Sequence, residues 1–232
     1  MRKGLLLIGF LVSCLLVSSV FAMGGAAPKS PVQGGSAAGD FLIDNFESGS
    51  LRYPRDWWTF DAKVEAASNK GLTKDDPGTG SFSLSLKGTA TDWYVGGCGA
   101  YIAKEGSDLA KYDSIQLDIY GRGPGSGTLK IELFDDDNGN WQVEQDASNN
   151  YAPTADDKLV YNVVVDWYGW SRQVIAFEDF VDDNSGVGDD AWNPQVAGLS
   201  GGLLQMQLLC LASSASGSVD FNIDNVTLVV GD

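Results

Sequence analysis

The chain has 232 residues, 31 acidic and 15 basic side chains, a formal net charge of −16 and no histidine. Without histidine, Ser-His-Asp and Cys-His catalytic arrangements and histidine-based zinc sites are excluded. The acidity argues against nucleic acid as a partner, because phosphates are bound by Lys and Arg, and it favours solubility and divalent cations.

Residues 1–22 have the pattern of a secretory signal peptide. Two basic residues precede an apolar stretch, and Ala22 ends a small-residue cleavage site. No later segment is long and apolar enough to span a bilayer. A lipoprotein signal with Cys14 as the lipidated residue is the alternative, but the residues after Cys14 stay apolar, which favours cleavage after Ala22. We therefore expect an exported protein that is periplasmic, on the cell surface or extracellular.

Residues 23–39 are rich in Gly, Ala, Pro and Ser and have too little apolar bulk to fold, which predicts a flexible tether. Residues 40–232 fit one β-rich domain by length. Removal of the signal leaves two cysteines, Cys98 and Cys210. Export permits a disulfide between them, whereas their apolar or glycine-rich contexts are equally typical of buried free thiols, so both alternatives stay open.

Short alternating segments predict β-strands along most of the domain. In residues 128–134, for example, Leu129, Ile131 and Leu133 face one side, and Lys130 lies on the other. No segment has a convincing helical period. Many short strands separated by turns predict an all-β fold, a two-sheet β-sandwich of the jelly-roll type. The predicted strands are residues 81–86, 114–120, 128–134, 141–145, 159–165, 171–177, 203–211 and 218–230.

Two acidic segments are predicted to connect strands. Residues 135–140, D-D-D-N-G-N, indicate a hairpin turn. They resemble part of an EF-hand loop, but the position of Gly139 would place Phe134 at the first ligand position, so the match fails. Residues 181–194 indicate a long exposed loop, with calcium binding or the rim of a ligand groove as alternatives.

Aromatic residues occur as adjacent pairs, among them Trp57-Trp58 and Trp93-Tyr94. Neighbours on a strand point to opposite faces, so one member of each pair is expected off the core. Alternation with Val95 predicts that Trp93 is buried and that Tyr94 is exposed.

The polar faces of several predicted strands carry planar amide, carboxylate and ring side chains. Such groups suit sugar hydroxyls and the C–H faces of pyranose rings, whereas an ordinary solvated sheet face is the alternative. The residues that we predict to bind carbohydrate are Tyr94, Gln116, Asp118, Tyr120, Gln205 and Gln207.

Matched acidic phrases stand at the two ends of the domain, I-D-N-F-E at residues 43–47 and F-N-I-D-N-V-T-L at 221–228. The first and last strands of jelly rolls commonly lie side by side, so Asp44, Glu47 and Asp224 are expected to converge. Clustered carboxylates repel one another unless a cation, a proton or hydrogen bonds compensate, and their hard oxygens suit calcium. We predict a structural calcium site, with solvated strand-end acids as the alternative.

Five phrases in this order resemble the family 11 carbohydrate-binding modules and related galactose-binding-like jelly rolls, which include domains of the complex I assembly-factor type. The resemblance implies a concave face that binds β-glucan chains and a structural calcium away from that groove. Glu47 and Asp224 match the calcium positions, and Asp118, Tyr120 and Tyr94 look like groove positions. The phrases lie at residues 43–47, 108–121, 134–141, 169–180 and 221–228.

The resemblance implies a secreted, non-catalytic module for a β-glucan-type polysaccharide. A histidine found in some such grooves is missing here, which leaves the identity of the ligand open. The lack of an attached catalytic domain favours a second hypothesis. In that hypothesis the chain is an extracellular structural, adhesion or filament-sheath protein that self-associates and reuses the fold without binding sugar. Carboxylate-pair glycosidase chemistry stays open, because 31 acidic residues supply many pairs.

Overall fold

A computed structural model describes residues 39–72, 80–103, 109, 111–193 and 202–230. The predicted signal peptide, Cys14 and almost all of the predicted tether lie outside these residues, so the processing of the chain stays a prediction. Within the described ranges, no helix is long and apolar enough to cross a membrane.

The described part of the chain is built almost wholly from strands, joined by two short 3-10 helices at Ala147–Asn149 and Phe177–Asp179. The strands are β1 (Phe41–Asp44), β2 (Trp58–Phe60), β3 (Lys63–Ser68), β4 (Phe82–Thr89), β5 (Tyr94–Tyr101), β6 (Ser114–Arg122), β7 (Gly127–Asp135), β8 (Gln145–Asp146), β9 (Ala152–Pro153), β10 (Asp157–Val165), β11 (Tyr168–Ala176), β12 (Val181–Asp182), β13 (Leu203–Leu211) and β14 (Ser218–Val229).

Two six-stranded antiparallel sheets form a sandwich. Sheet I has the order β11-β6-β14-β4-β3, with β1 also paired to β14. Sheet II has the order β12-β10-β7-β13-β5-β2, and β8 and β9 form a separate short pair. The predicted all-β, two-sheet sandwich is confirmed.

The hydrophobic core lies between the sheets. It contains the alternate side chains of β6 and β7, such as Ile115, Leu117, Leu129 and Ile131, all fully buried. The other side chains of these strands point outward, away from the core. The outward faces of sheets I and II therefore lie on opposite sides of the molecule.

The chain around Trp141 differs from the prediction. Only Gln145 of the predicted strand 141–145 is in a strand. Trp141 has a φ of 60°, and its N–H donates to the Asp136 carboxylate, which also accepts from the N–H of Gly139. The predicted hairpin is also wrong, because β7 pairs with β10 and β13 rather than with the segment that follows it.

Trp93 is half exposed (51%), so the prediction that it is buried is wrong. Asp92 and Trp93 both have positive φ, and this turn interrupts the alternation ahead of Val95. Cys98 and Cys210 are free and buried on the core side of β5 and β13, which is the free-thiol alternative. Burial raises the pKa of the Cys98 thiol well above its usual value and that of Cys210 to about 12.

Candidate functional site

The structure does not bring the six predicted carbohydrate-binding residues onto one surface. Gln116, Asp118 and Tyr120 lie on the outward face of β6, in sheet I. The other three lie on the outward face of sheet II, Gln205 and Gln207 on β13 and Tyr94 at the start of β5. Two separate groups of three therefore replace the single predicted face.

Asp118 is fully buried, and both of its carboxylate oxygens accept hydrogen bonds. Arg172 on β11 donates to it in a fork, with Nε 2.8 Å from Oδ1 and Nη2 2.9 Å from Oδ2. The side-chain amide of Asn225 also donates to Oδ2, at 2.9 Å. Asp118 is thus held inside the molecule and presents no surface to a large ligand, which corrects its predicted place in a groove.

Tyr120 belongs to a packed aromatic group on the same face. Its ring meets Trp170 edge-on, with centroids 5.3 Å apart, and the Arg122 guanidinium lies 5.3 Å from the Tyr120 centroid. Half-buried Gln116 lies two residues before Asp118. These contacts are with the protein's own side chains, so the polar and aromatic groups on this part of the outward face of sheet I already have partners within the protein.

The outward face of sheet II carries a pair of aromatic rings. Trp58 on β2 and Tyr101 on β5 have ring centroids 5.5 Å apart. Trp58 lies opposite Gly99, and a Cβ built on Gly99 would lie 2.5 Å from the indole. The glycine therefore allows the indole to lie across β5, beside half-exposed Tyr101.

Two amides continue this face along β13. Gln205 lies opposite Tyr101, and Gln207 lies between Gly99 and Glu132 of the flanking strands. The Gln205 side chain is 3% exposed, and its Nε2 is buried without a hydrogen-bond partner. A buried amide donor without a partner is costly, but at 3% exposure Gln205 offers a ligand little more surface than Asp118 does. The accessible amide of this face is that of half-buried Gln207.

Tyr94 closes the other end of the face. Burial, with the nearby carboxylates of Asp61 and Glu132, raises the pKa of Tyr94 to about 12, so the hydroxyl is a neutral donor at all physiological pH values. We call this surface the Trp58 face; it consists of Trp58, Tyr94, Tyr101, Lys130, Glu132, Gln205 and Gln207.

On the β7 side of the Trp58 face, lysines and carboxylates of β7, of β10 and of the segment after β12 form ion pairs. Lys130 pairs with Glu132 at 2.9 Å and with Asp183 at 3.3 Å, and Lys158 pairs with Asp183 at 2.9 Å. Although burial acts to raise it, these lysine partners hold the pKa of Asp183 below its usual value. A glycosidase acid needs a raised pKa, so this strip suits fixed hydrogen bonds to a ligand better than proton transfer.

Sequence reasoning had not selected Trp58 or Tyr101. The usable signal was the adjacent pair Trp57-Trp58, one member of which was expected off the core. Trp57 is buried, with its indole N–H donating to Asp44 at 2.9 Å, while Trp58 faces outward and is partly exposed. Tyr101 ends β5, where glycines at positions 96, 97 and 99 interrupt the alternation that would have predicted a strand.

The predicted metal residues come from paired terminal strands. β1 pairs antiparallel with β14, as expected. Burial raises the pKa of Asp224 to about 8, and the neighbouring charges of Asp118, Glu47 and Asp44 add to the shift. One Asp224 oxygen, Oδ1, accepts from the N–H of Asn225 at 2.7 Å, while Oδ2 is buried without a partner. Asp224 is therefore within electrostatic range of both Asp44 and Glu47, although the three residues do not bring one oxygen each within 4.8 Å of one another.

Their oxygens differ in availability. Asp44 accepts from the N–H of Phe46 and the indole of Trp57, and Glu47 accepts from the N–H groups of residues 81 and 82 at 3.0 and 2.9 Å. A carboxylate oxygen has two lone pairs, so these bonds leave capacity for a cation. With the orphaned Oδ2 of Asp224, the set fits a hard cation such as calcium in donor chemistry.

No family model and no curated protein matches the chain. Among solved structures it is similar to the family 11 carbohydrate-binding module of a cellulosomal cellulase of Clostridium thermocellum, at 20% identity and a TM-score of 0.47 over 84% of this chain and 97% of that one. It is also similar to a family 11 module of the same organism in complex with a β-1,3-1,4-mixed-linked tetrasaccharide, at 20% identity and a TM-score of 0.49 over 84% of this chain and 98% of that one. For the CBM22-2 xylan-binding domain of Paenibacillus barcinonensis Xyn10C, the identity is 16% and the TM-score is 0.41 over 81% of this chain and 98% of that one. At these identities and scores, function has to be argued from the residues of this chain.

Proposed function

We propose that this chain is an exported, non-catalytic carbohydrate-binding module that holds a β-glucan-type polysaccharide on the Trp58 face. One observation carries the proposal: the accessible Trp58–Tyr101 ring pair lies beside half-buried Gln207, which faces Gly99 as Trp58 does. Ring faces pack against the C–H faces of pyranose units, and amides bond to their hydroxyls. A neutral polymer of pyranose units offers both kinds of group in a repeating row.

The proposal of a non-catalytic role rests on the state of the nearby acids. Glu132 and Asp183 are both bound by Lys130, and the chain has no histidine to serve as a base. Two carboxylates with opposite protonation states would be needed for glycoside hydrolysis. Neutral sugars carry no counterions, so binding should persist at moderate salt.

The proposal includes a structural calcium ion at Asp44, Glu47 and Asp224. An ion there would supply positive charge to carboxylates that otherwise repel one another. The chain's own part is to bring β1 against β14 and to keep Oδ2 of Asp224 free of other donors.

Affinity electrophoresis in gels containing β-glucans, xyloglucan, mannans or pectins tests the binding. We expect retardation by a β-glucan, and Trp58→Ala or Tyr101→Ala should each weaken it by about tenfold, since an aromatic contact contributes about 1 kcal/mol or more. Tyr168→Ala is the matched control, because Tyr168 is 79% exposed on β11 of sheet I.

Two results would contradict the proposal. One is equal weakening by Tyr168→Ala and Trp58→Ala. The other is absence of retardation by every polysaccharide while the protein forms oligomers or filaments, which would favour the structural or adhesion hypothesis.

A further inference from the structure

A second carboxylate group lies in sheet II, where β7 ends and β10 begins, whereas β1 and β14 belong to sheet I. Asp135 ends β7, Asp137 follows it, Asp157 begins β10, and Asp189 lies in the loop after β12. Oxygen atoms of Asp137, Asp157 and Asp189 all lie within 4.8 Å of one another. Three separate segments of the chain thus deliver carboxylates to one point.

Asp135 supplies a second, independent observation that points to a ligand at this group. It is 0% exposed and lies directly opposite Asp157 in the β7–β10 ladder. Its Oδ2 accepts from the N–H of Asn193 at 2.8 Å, but its Oδ1 is buried and has no hydrogen-bond partner. Oδ1 of Asp137 is also buried without a partner. Two orphaned carboxylate oxygens beside further carboxylates are unfavourable unless something positive lies between them.

No positive side chain compensates this charge. None of the ion pairs in the described part of the chain includes any of these four residues. Burial, with the charges of the other members, raises the pKa of Asp135 to about 7; burial and Asp157 raise that of Asp137 to about 6. The group is therefore poorly stabilised as it stands when ionised.

The loop after β12 is shaped to meet this group. Gly188 has a φ of +80°, and a Cβ there would lie 2.2 Å from Oδ1 of Asp157 and 2.3 Å from Oδ2 of Asp137. Only glycine allows the backbone so close to both carboxylates. The loop is anchored further on, where Trp192 packs on Phe177 with ring centroids 4.9 Å apart.

We propose that Asp135, Asp137, Asp157 and Asp189 bind a calcium ion that fastens the loop after β12 to the edge of sheet II. The donors are all carboxylate oxygens, which hard cations prefer, and four carboxylates can supply the six to eight oxygens that calcium takes. Magnesium is disfavoured, because it demands near-ideal octahedral geometry and gives up its waters reluctantly. This site is separate from Asp44, Glu47 and Asp224, and it does not depend on carbohydrate binding.

Calorimetric titration of chelator-treated protein with calcium tests the proposal. The Glu47→Gln variant, which weakens the β1–β14 site, isolates the second site. In that background, Asp137→Asn and Asp189→Asn should each weaken calcium binding by at least about tenfold, since loss of even an outer-shell partner costs about 10–100-fold. Asp190→Asn is the matched control: it lies in the same loop, and its carboxylate accepts from the N–H of Gly186 instead.

Asp189 is exposed, so its substitution should leave the fold intact, and circular dichroism of each variant checks this. The proposal is supported if Asp190→Asn binds calcium within about twofold of its parent while Asp189→Asn does not. It is overturned if calcium binding is unchanged in both Asp137→Asn and Asp189→Asn, if Glu47→Gln binds no calcium, or if magnesium binds as tightly as calcium. Because glycan retardation is a separate measurement, failure here leaves the proposed function intact.

Discussion

The buried pair of Asp118 and Arg172 allows a sharp test of the corrected role of Asp118. Asp118→Asn keeps the shape but removes the charge that faces the Arg172 fork. Breaking one side of a buried ion pair costs about 3–5 kcal/mol, because the remaining charge is left uncompensated. The Arg172 side chain is 19% exposed, and loss of the Asp118 charge also relieves its repulsion of Asp224, so we expect a value near the lower end, about 3 kcal/mol. For a domain of this size that corresponds to a fall in Tm of about 6–12 °C.

Thermal melts followed by circular dichroism give the measurement. Arg172→Met should lower the Tm by a similar amount. The Tm of the double variant Asp118→Asn/Arg172→Met should lie closer to that of the wild type than the Tm of either single variant, because replacing both partners removes the uncompensated charge. Lys87→Ala is the control, since it breaks the exposed pair of Lys87 with Asp220 and should cost less than about 1 kcal/mol. A fall of only about 2 °C would correspond to about 0.5–1 kcal/mol for a domain of this size. If Asp118→Asn shows no larger fall yet loses retardation by polysaccharide, the reasoning is refuted and Asp118 is a binding residue.

Three further outcomes are expected. Millimolar calcium should raise the Tm above that of a chelator-treated sample, because a hundredfold excess over Kd adds about 2.7 kcal/mol to the free energy of unfolding. Because burial and the neighbouring carboxylates raise the pKa of Asp224 from 3.8 to about 8, the stability that this group gives the cation-free protein is complete below pH 4 and is lost as the pH rises through 8. The calcium effect should therefore be larger at pH 8 than at pH 5, and an equal effect at both would contradict it. Cys98 and Cys210 should react with alkylating reagents only in denaturant, as mass spectrometry will report; no reaction even then would mean that they are bridged. Gly99→Ala should displace the Trp58 indole and weaken glycan retardation about as much as Trp58→Ala, with little change in the far-ultraviolet spectrum.

Strands with clean alternation were predictable from local pattern alone. β13 begins and ends at the predicted residues, Leu203 and Leu211, because its apolar face is continuous and the sequence has two glycines directly before it and two serines shortly after it. β5 was not predicted, since glycines occupy positions 96, 97 and 99 and leave no pattern to follow. The glycines are there because neighbours approach closely: a Cβ on Gly97 would lie 2.1 Å from the carbonyl oxygen of Leu208.

The prediction of a single carbohydrate-binding face was wrong for a different reason. β6 carries an amide and a carboxylate on one face and β13 carries two amides on one face, but sequence periodicity does not say to which sheet a strand belongs. Sheet membership is decided by pairing between distant segments, here β6 with β14 and β13 with β5 and β7. The pairing of β1 with β14 was predictable because a general rule, adjacency of the first and last strands in jelly rolls, supplied the missing long-range information.

The antiparallel pairing of β1 with β14 also determines how the domain would respond to tension. Phe41 lies opposite Leu228, so a pull applied just before β1 and just after β14 loads both strands at the same end. Their hydrogen bonds would then break one after another, as in a zipper, rather than all at once in shear. The first strand to leave would carry Ile43 out of the core and Asp44 away from Asp224. Under load, β1 would leave first and open the proposed calcium site before the other strands of sheet I separated, so a bound calcium ion would raise the force that the domain can bear.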